Sequence, residues 1–220
     1  MKFEVEGKKY NFPASLRDIT LGQRIDFYNR FGKDHEKENE RIKDIEDEFE
    51  KNIESTALGI KMAVDSFSFF TDLDIELIKE KFDLNQILNV YYTSTQLINE
   101  QEKAVKLESE YVWNNELWYI EYPTVTAQSK FTFNEFITAK ETIRQLKLVS
   151  ESDFTALHYL ACVFLRKKDE AFNDDFLNPQ SERFKLMREL PMDIALGVGF
   201  FLTNSIQILL NSQSLTKEST

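Results

Sequence analysis

The chain has 220 residues, a formal net charge of -11 and an apolar fraction of 42%, long enough to bury a core as one domain or two small ones. The acidic balance, with no Lys/Arg-rich segment, excludes a non-specific grip on nucleic acid, which needs a basic face to displace counterions. A single cysteine, Cys162, excludes an internal disulfide and fits a reducing compartment or a particle assembled in one.

From the N-terminus, Lys2 to Glu6 alternates polar and apolar side chains, Gly7-Lys8 supplies a turn, and Lys9 to Phe12 returns before Pro13, which predicts a small β-hairpin. No apolar signal run precedes it. Thr20 is expected to cap a helix, with Gln23 reaching back to the cap, and Gly32 to end it. Residues 33–54 then carry five Lys/Arg and ten Asp/Glu, yet Ile42, Ile45, Phe49, Ile53, Thr56, Ile60, Val64 and Phe67 recur at spacings of 3 and 4. That narrow stripe predicts one long charged helix, about 35–70, packed against a neighbour along its length. A solvated face without a partner is the plainer reading of the same charges. Asp72 or Asp74 is placed to cap a short helix through Phe82, and Asp83 or Asn85 to open another carrying Ile87, Leu88 and Tyr91. Polar residues 99–108 read as a linker.

From Tyr111 to Pro123 the hairpin pattern returns, turning at Asn114-Asn115, residues that tolerate positive φ, and richly aromatic at Tyr111, Trp113 and Trp118. A loop to Phe131 is followed by a capped helix starting at Thr132-Phe133, and Ser150 or Ser152 is expected to open a helix running to about Lys168. Asn173 to Pro179 reads as a loop. Helices from about Gln180 to Glu189 and Met192 to Asn211 close the chain before a polar tail, 212–220. The apolar run from Ile194 to Leu210 includes Thr203, Asn204, Ser205 and Gln207 and falls short of the ~20 mostly apolar residues of a bilayer span, so a buried helix is expected.

Three segments recur in order: the hairpin, the Thr-capped helix start, and Thr56-Ala-Leu against Thr155-Ala-Leu. A tandem duplication is the economical reading, with copies at 1–98 and 109–211. The fold class expected is therefore mainly α (α+β), a hairpin followed by several helices, twice, with one long charged helix.

Chemistry-bearing residues are sparse. His158 and Cys162 stand four apart on a predicted helix, where their side chains share a face, but Gly59 and Ala63 occupy the matching places in the first copy. Small core positions account for both, and no metal or cofactor is expected. Asp72, Asp74 and Glu76 alternate like a calcium loop without its glycine and terminal glutamate, and serve a helix N-terminus better. Gly197 and Gly199 sit inside a helical pattern and mark close packing against a neighbouring helix. No nucleophile elbow or phosphate loop occurs, so no enzyme is expected. Partner contacts are expected instead at the aromatic hairpin, through Trp113, Trp118 and Tyr111, and at the charged helix, through Glu46 and Glu50.

The opening residues 1–12, followed by a capped amphipathic helix, resemble the start of tailed-phage tail-assembly chaperones and related virion-morphogenesis proteins. The run from Asp18 to Gly32 is similar to structural-gene products of phages of gut Bacteroidetes, the crAss-like group. That resemblance implies a non-enzymatic structural or assembly protein of a phage tail or head–tail junction. It would act through contacts with other virion or assembly proteins or with itself, in the virion or in the host cytoplasm during assembly. Neither nucleic acid nor membrane is an expected partner. A soluble bacterial protein-binding adaptor or regulator is the alternative.

Overall fold

The computed structural model describes residues 1–5, 7–106, 108–120, 135, 137–138, 140–141, 144 and 153–200. Among the described residues the fold is mainly α with two small antiparallel sheets, as the periodicities require. It divides into two compact units, Met1–Ile19 with Gln23–Lys103, and Thr20–Gly22 with Ala104–Thr220.

In the first unit, β1 (Lys2–Val5) and β2 (Lys8–Asn11) pair antiparallel around Gly7, whose φ of 78° is the left-handed turn conformation that glycine adopts without strain. Helix α1 (Leu21–Phe27) starts directly after Thr20. Gly32 does not end it. A π-helical turn, Tyr28–Gly32, runs straight into α2 (Lys33–Lys43), and Gly32 keeps helical φ and ψ. Glycine is needed there for room: a Cβ would stand 2.6 Å from the Tyr28 ring, whose hydroxyl donates to Glu36 at 2.7 Å.

The long charged helix expected over 35–70 is two helices. Helix α2 stops at Lys43, and α3 (Glu48–Thr71) begins behind Asp47, whose carboxylate accepts the Glu50 N–H at 2.7 Å. Lys51 folds back over the break, its ammonium donating to the carbonyls of Lys43 and Ile45 at the free end of α2. The pairings between the two helices run antiparallel, His35 with Asp65 and Arg41 with Glu54. The result is a helical hairpin instead of a single rod.

Helix α3 ends with Asp72 in the left-handed conformation, φ 56°. Asp74 then caps α4 (Ile75–Lys81) by accepting from the N–H groups of Glu76 and Leu77, and Asp83 accepts from Gln86 N at the start of α5 (Leu84–Ala104). Of the alternatives the sequence offers, Asp74 and Asp83 are the caps, while Asp72 closes α3. The expected linker over 99–108 is helical to Ala104 because its polar residues bond within the unit. Gln101 accepts from Leu16 N–H and donates to Ala14 O, and nearby Ser94 donates to Pro13 O in the interior. The core gathers Phe12, Ala63, Val64, Phe67, Ile78 and Ile87. Phe67 anchors it, with ring contacts to Phe3, Phe12 and Phe82 at 5.0–5.8 Å.

In the second unit, β3 (Glu110–Trp113) and β4 (Glu116–Ile120) turn at Asn114 and Asn115, with φ of 52° and 59°. Two consecutive positive values are what a tight hairpin turn matching strand twist requires. Helix α6 (Asp153–Phe164) ends four residues before the expected Lys168, because Leu165–Lys167 becomes β5 and pairs with β4. The loop expected over 173–179 contains a 3-10 turn, Asp174–Leu177, capped by Asn173. Helix α7 (Glu182–Arg188) is capped by Ser181, and α8 is described over 192–200. Thr20 bridges Pro191, and Leu21 N–H donates to Leu190 O at 2.8 Å. Residues 135, 137, 138, 140, 141 and 144 are helical. Thr132, Phe133, Ser150, Ser152 and the tail lie outside the described residues.

Thr56–Val64 lies within α3 and Thr155–Val163 within α6, and each unit carries a hairpin. The second sheet differs in having a third strand.

Candidate functional site

The aromatic hairpin is not a free surface. Trp118 and Ile120 share the inward face of β4, and β5 closes that sheet edge, so Trp118 is completely buried and Trp113 is 8% exposed. The Trp118 indole N–H donates to Trp113 O at 3.2 Å, and the rings meet at 5.3 Å. Above Trp118 lie the Arg183 guanidinium at 4.8 Å and the Lys167 ammonium at 5.3 Å, while Phe176 flanks Arg183 at 4.9 Å. Arg183 in turn donates to Glu170 and to the Leu165 carbonyl. Burial pushes the Arg183 guanidinium below its ordinary value, and the Glu170 carboxylate opposes that shift. Beside it, fully buried Arg166 pairs with buried Glu135 at 3.2 Å. This paired cluster locks the sheet to the helices behind it.

The expectation that Trp113 and Trp118 anchor a partner is therefore corrected: both rings belong to the unit's own core. Tyr111 is half-buried, with its hydroxyl accepting from Glu108 N–H at 3.2 Å. The same hydroxyl fills the space over Gly197, where a Cβ would lie 2.2 Å away. Gly197 thus makes room for a strand side chain, whereas a Cβ at Gly199 would stand 3.1 Å from Leu157 of α6, so Gly199 does mark helix packing.

His158 and Cys162 are core residues. His158 donates from Nε2 to Phe184 O at 2.8 Å, the tautomer a carbonyl acceptor requires, with the Phe184 ring 4.1 Å from its own. Burial pulls its pKa down to about 4, although the bond to Phe184 O favours the charged form. Burial likewise pushes the Cys162 thiol up to about 12, so the sulfur stays protonated and unreactive at neutral pH. Among the described residues, no group of three or more His, Cys, Asp or Glu is placed to hold a metal ion.

The charged stretch expected to carry partner contacts is the α2–α3 helical hairpin. At its base, buried His35 and Asp65 meet at 2.8 Å, and Lys61 approaches the same carboxylate at 3.3 Å. Burial pushes the Asp65 carboxyl up, but the hydrogen bonds from His35 and Lys61 outweigh it and hold the group below its ordinary value. The Phe27 and Phe31 rings pack against His35. At its tip, Glu46 and Glu50 are exposed, as expected of contact residues. Phe49 and Ile53 stand among them at 76% and 52% exposure.

The exposed pair was legible in the sequence only as part of a stripe. Its exposure follows from α3 outrunning the first hairpin, α4 and α5, which cover the same face further along the helix. The His35–Asp65 and Arg183–Glu170–Trp118 groupings join residues 13 to 65 positions apart, and nothing local announces them.

No helix among the described residues is long and apolar enough to cross a membrane. Comparison with protein-family models, with curated proteins and with solved structures finds no match for this chain.

Proposed function

We propose that this chain is a non-enzymatic structural or assembly protein of a tailed-phage particle, acting through protein contacts made by the α2–α3 hairpin. The observation that carries the reading is the exposure of Phe49 and Ile53 at the end of a well-formed helix. Burying a phenylalanine or isoleucine side chain is worth about 1.5–3 kcal/mol, so two left bare leave a contribution for a partner to recover. The particle setting is supported by the resemblance of residues 1–32 to tail-assembly and structural products of tailed phages.

The test is proteomic. Mass spectrometry of purified particles and of assembly intermediates should recover this chain with head–tail or tail proteins, in a fixed ratio if it stays in the virion. Its absence from both fractions would refute the reading. Portal, capsid and tail genes beside its own are the expected genomic context.

A further inference from the structure

Helix α3 places Phe49, Ile53, Ala57, Ile60 and Val64 within about 80° of arc, at about 100° per residue. This is the face that, further along the helix, enters the core: Val64 and Phe67 are covered by the first hairpin, α4 and α5. The uncovered half continues it outward with Phe49 and Ile53. Between the halves lies an open cleft of about 1080 Å³, where Ala57, Ile60 and Val64 face Ile78, Phe82 and Ile87. An apolar strip about 17 Å long, from Phe49 to Ile60, therefore runs from the hairpin tip into the mouth of a preformed groove, the span of about three helical turns.

Charge along the strip is uneven. Helix α2 is balanced, with four cations and four acids, so the surplus lies further on: residues 44–54 hold six acids against Lys51 alone. Of these acids, Glu54 pairs with Arg41 and Asp47 caps α3, while Asp44, Glu46, Glu48 and Glu50 are exposed around Phe49. The cleft end is nearly neutral, with Arg30, Lys61 and Lys79 set against Asp65, Asp72, Asp74 and Glu76. An anionic surface or a second copy of this acidic chain would be repelled at the tip, whereas a cationic helix would be drawn to it.

We propose that this strip is a docking groove for an amphipathic helix of a partner protein, in contact over about three turns, with lysine or arginine flanking the end that covers Phe49 and Ile53. The proposal rests on the protein-contact role given above and specifies the partner's chemistry.

The probe is a fluorescent Leu/Lys amphipathic peptide of about 16 residues, with two controls: a scrambled peptide of the same composition, and a version with glutamate for lysine. Binding to the full chain is read by anisotropy. The Leu/Lys peptide should bind at least about ten-fold tighter than either control. Phe49→Ser with Ile53→Ser should weaken it at least about ten-fold, while Leu97→Ser on α5 leaves it unchanged. Glu46→Lys with Glu50→Lys should weaken it chiefly at low salt. All five positions are exposed, so unchanged circular dichroism is expected of every variant. Equal binding of the scrambled peptide, or of the double-serine variant, overturns the groove. So does sedimentation showing a dimer that the double-serine change dissolves, since the occupant is then a second copy. The two readings fail separately: absence from particles refutes the phage role whatever the peptides do, and recovery from particles does not rescue a groove the peptides ignore.

Discussion

Acidification should weaken the second unit through a single residue, His158. Its imidazole is 2% exposed and held near a pKa of about 4, against an ordinary value of 6.5. Between these values the unfolded chain binds the proton more readily than the fold does, so stability falls as pH drops through the window and is fully retained above it. Linkage over the two pKa values gives a loss of about 2 kcal/mol between roughly pH 7.5 and pH 5, and about 3 kcal/mol once pH falls below 4. The chain's two tryptophans, Trp113 and Trp118, both lie in this unit, so their fluorescence during urea unfolding reports its stability selectively. His158→Gln keeps a donor for Phe184 O but removes the titration, and its midpoint should lose about 2 kcal/mol less over the same pH range. Parallel pH dependence in parent and variant would refute the argument. Proton NMR provides a check without mutation: one of only two histidine rings should stay unprotonated from neutral pH down to about pH 5.

Other consequences are as direct. Asp65 is held below its ordinary pKa, so the fold favours its charged form. Its contribution is present above about pH 4 and lost as pH falls through the folded value, and Asp65→Asn should flatten the acid limb of helicity measured by circular dichroism. Asp47→Ala removes the cap that starts α3 and should cost on the order of 1 kcal/mol in a thermal melt followed at 222 nm; an unchanged midpoint would count against the break between α2 and α3. Gly197→Ala forces a Cβ against the Tyr111 hydroxyl and should cost about 1–3 kcal/mol, part of it regained with Tyr111→Phe; additive effects in the double variant would exclude that contact as the cause. Arg183→Ala leaves Glu170 with only the Lys167 N–H and uncovers Trp118, so a loss of about 1–3 kcal/mol and a red-shifted tryptophan emission are expected.

What the sequence determined by itself was whatever depends on near neighbours. Alternation placed both hairpins, Asn114-Asn115 placed a positive-φ turn, and the pairs Asp72/Asp74 and Asp83/Asn85 placed helix starts to within two residues, because caps and turns are settled within a few residues. Burial of Cys162 and His158 followed from their place on an apolar helix. Only tertiary structure decided the rest. Apolar periodicity runs unbroken from Ile42 to Phe67, so the bend at residues 44–47 is invisible to it; the capping carboxylate of Asp47 and the reach of Lys51 decide that the chain turns back. Aromatic side chains on a hairpin read the same whether they cover a partner or a core, and β5, which buries Trp118, arrives about 45 residues later in the chain. Conversely, Phe49 and Ile53 match their buried neighbours in type and spacing. They stand exposed because α3 extends past the hairpin and helices that cover Val64 and Phe67, and the length of a helix relative to its packing surface is not written in any local pattern.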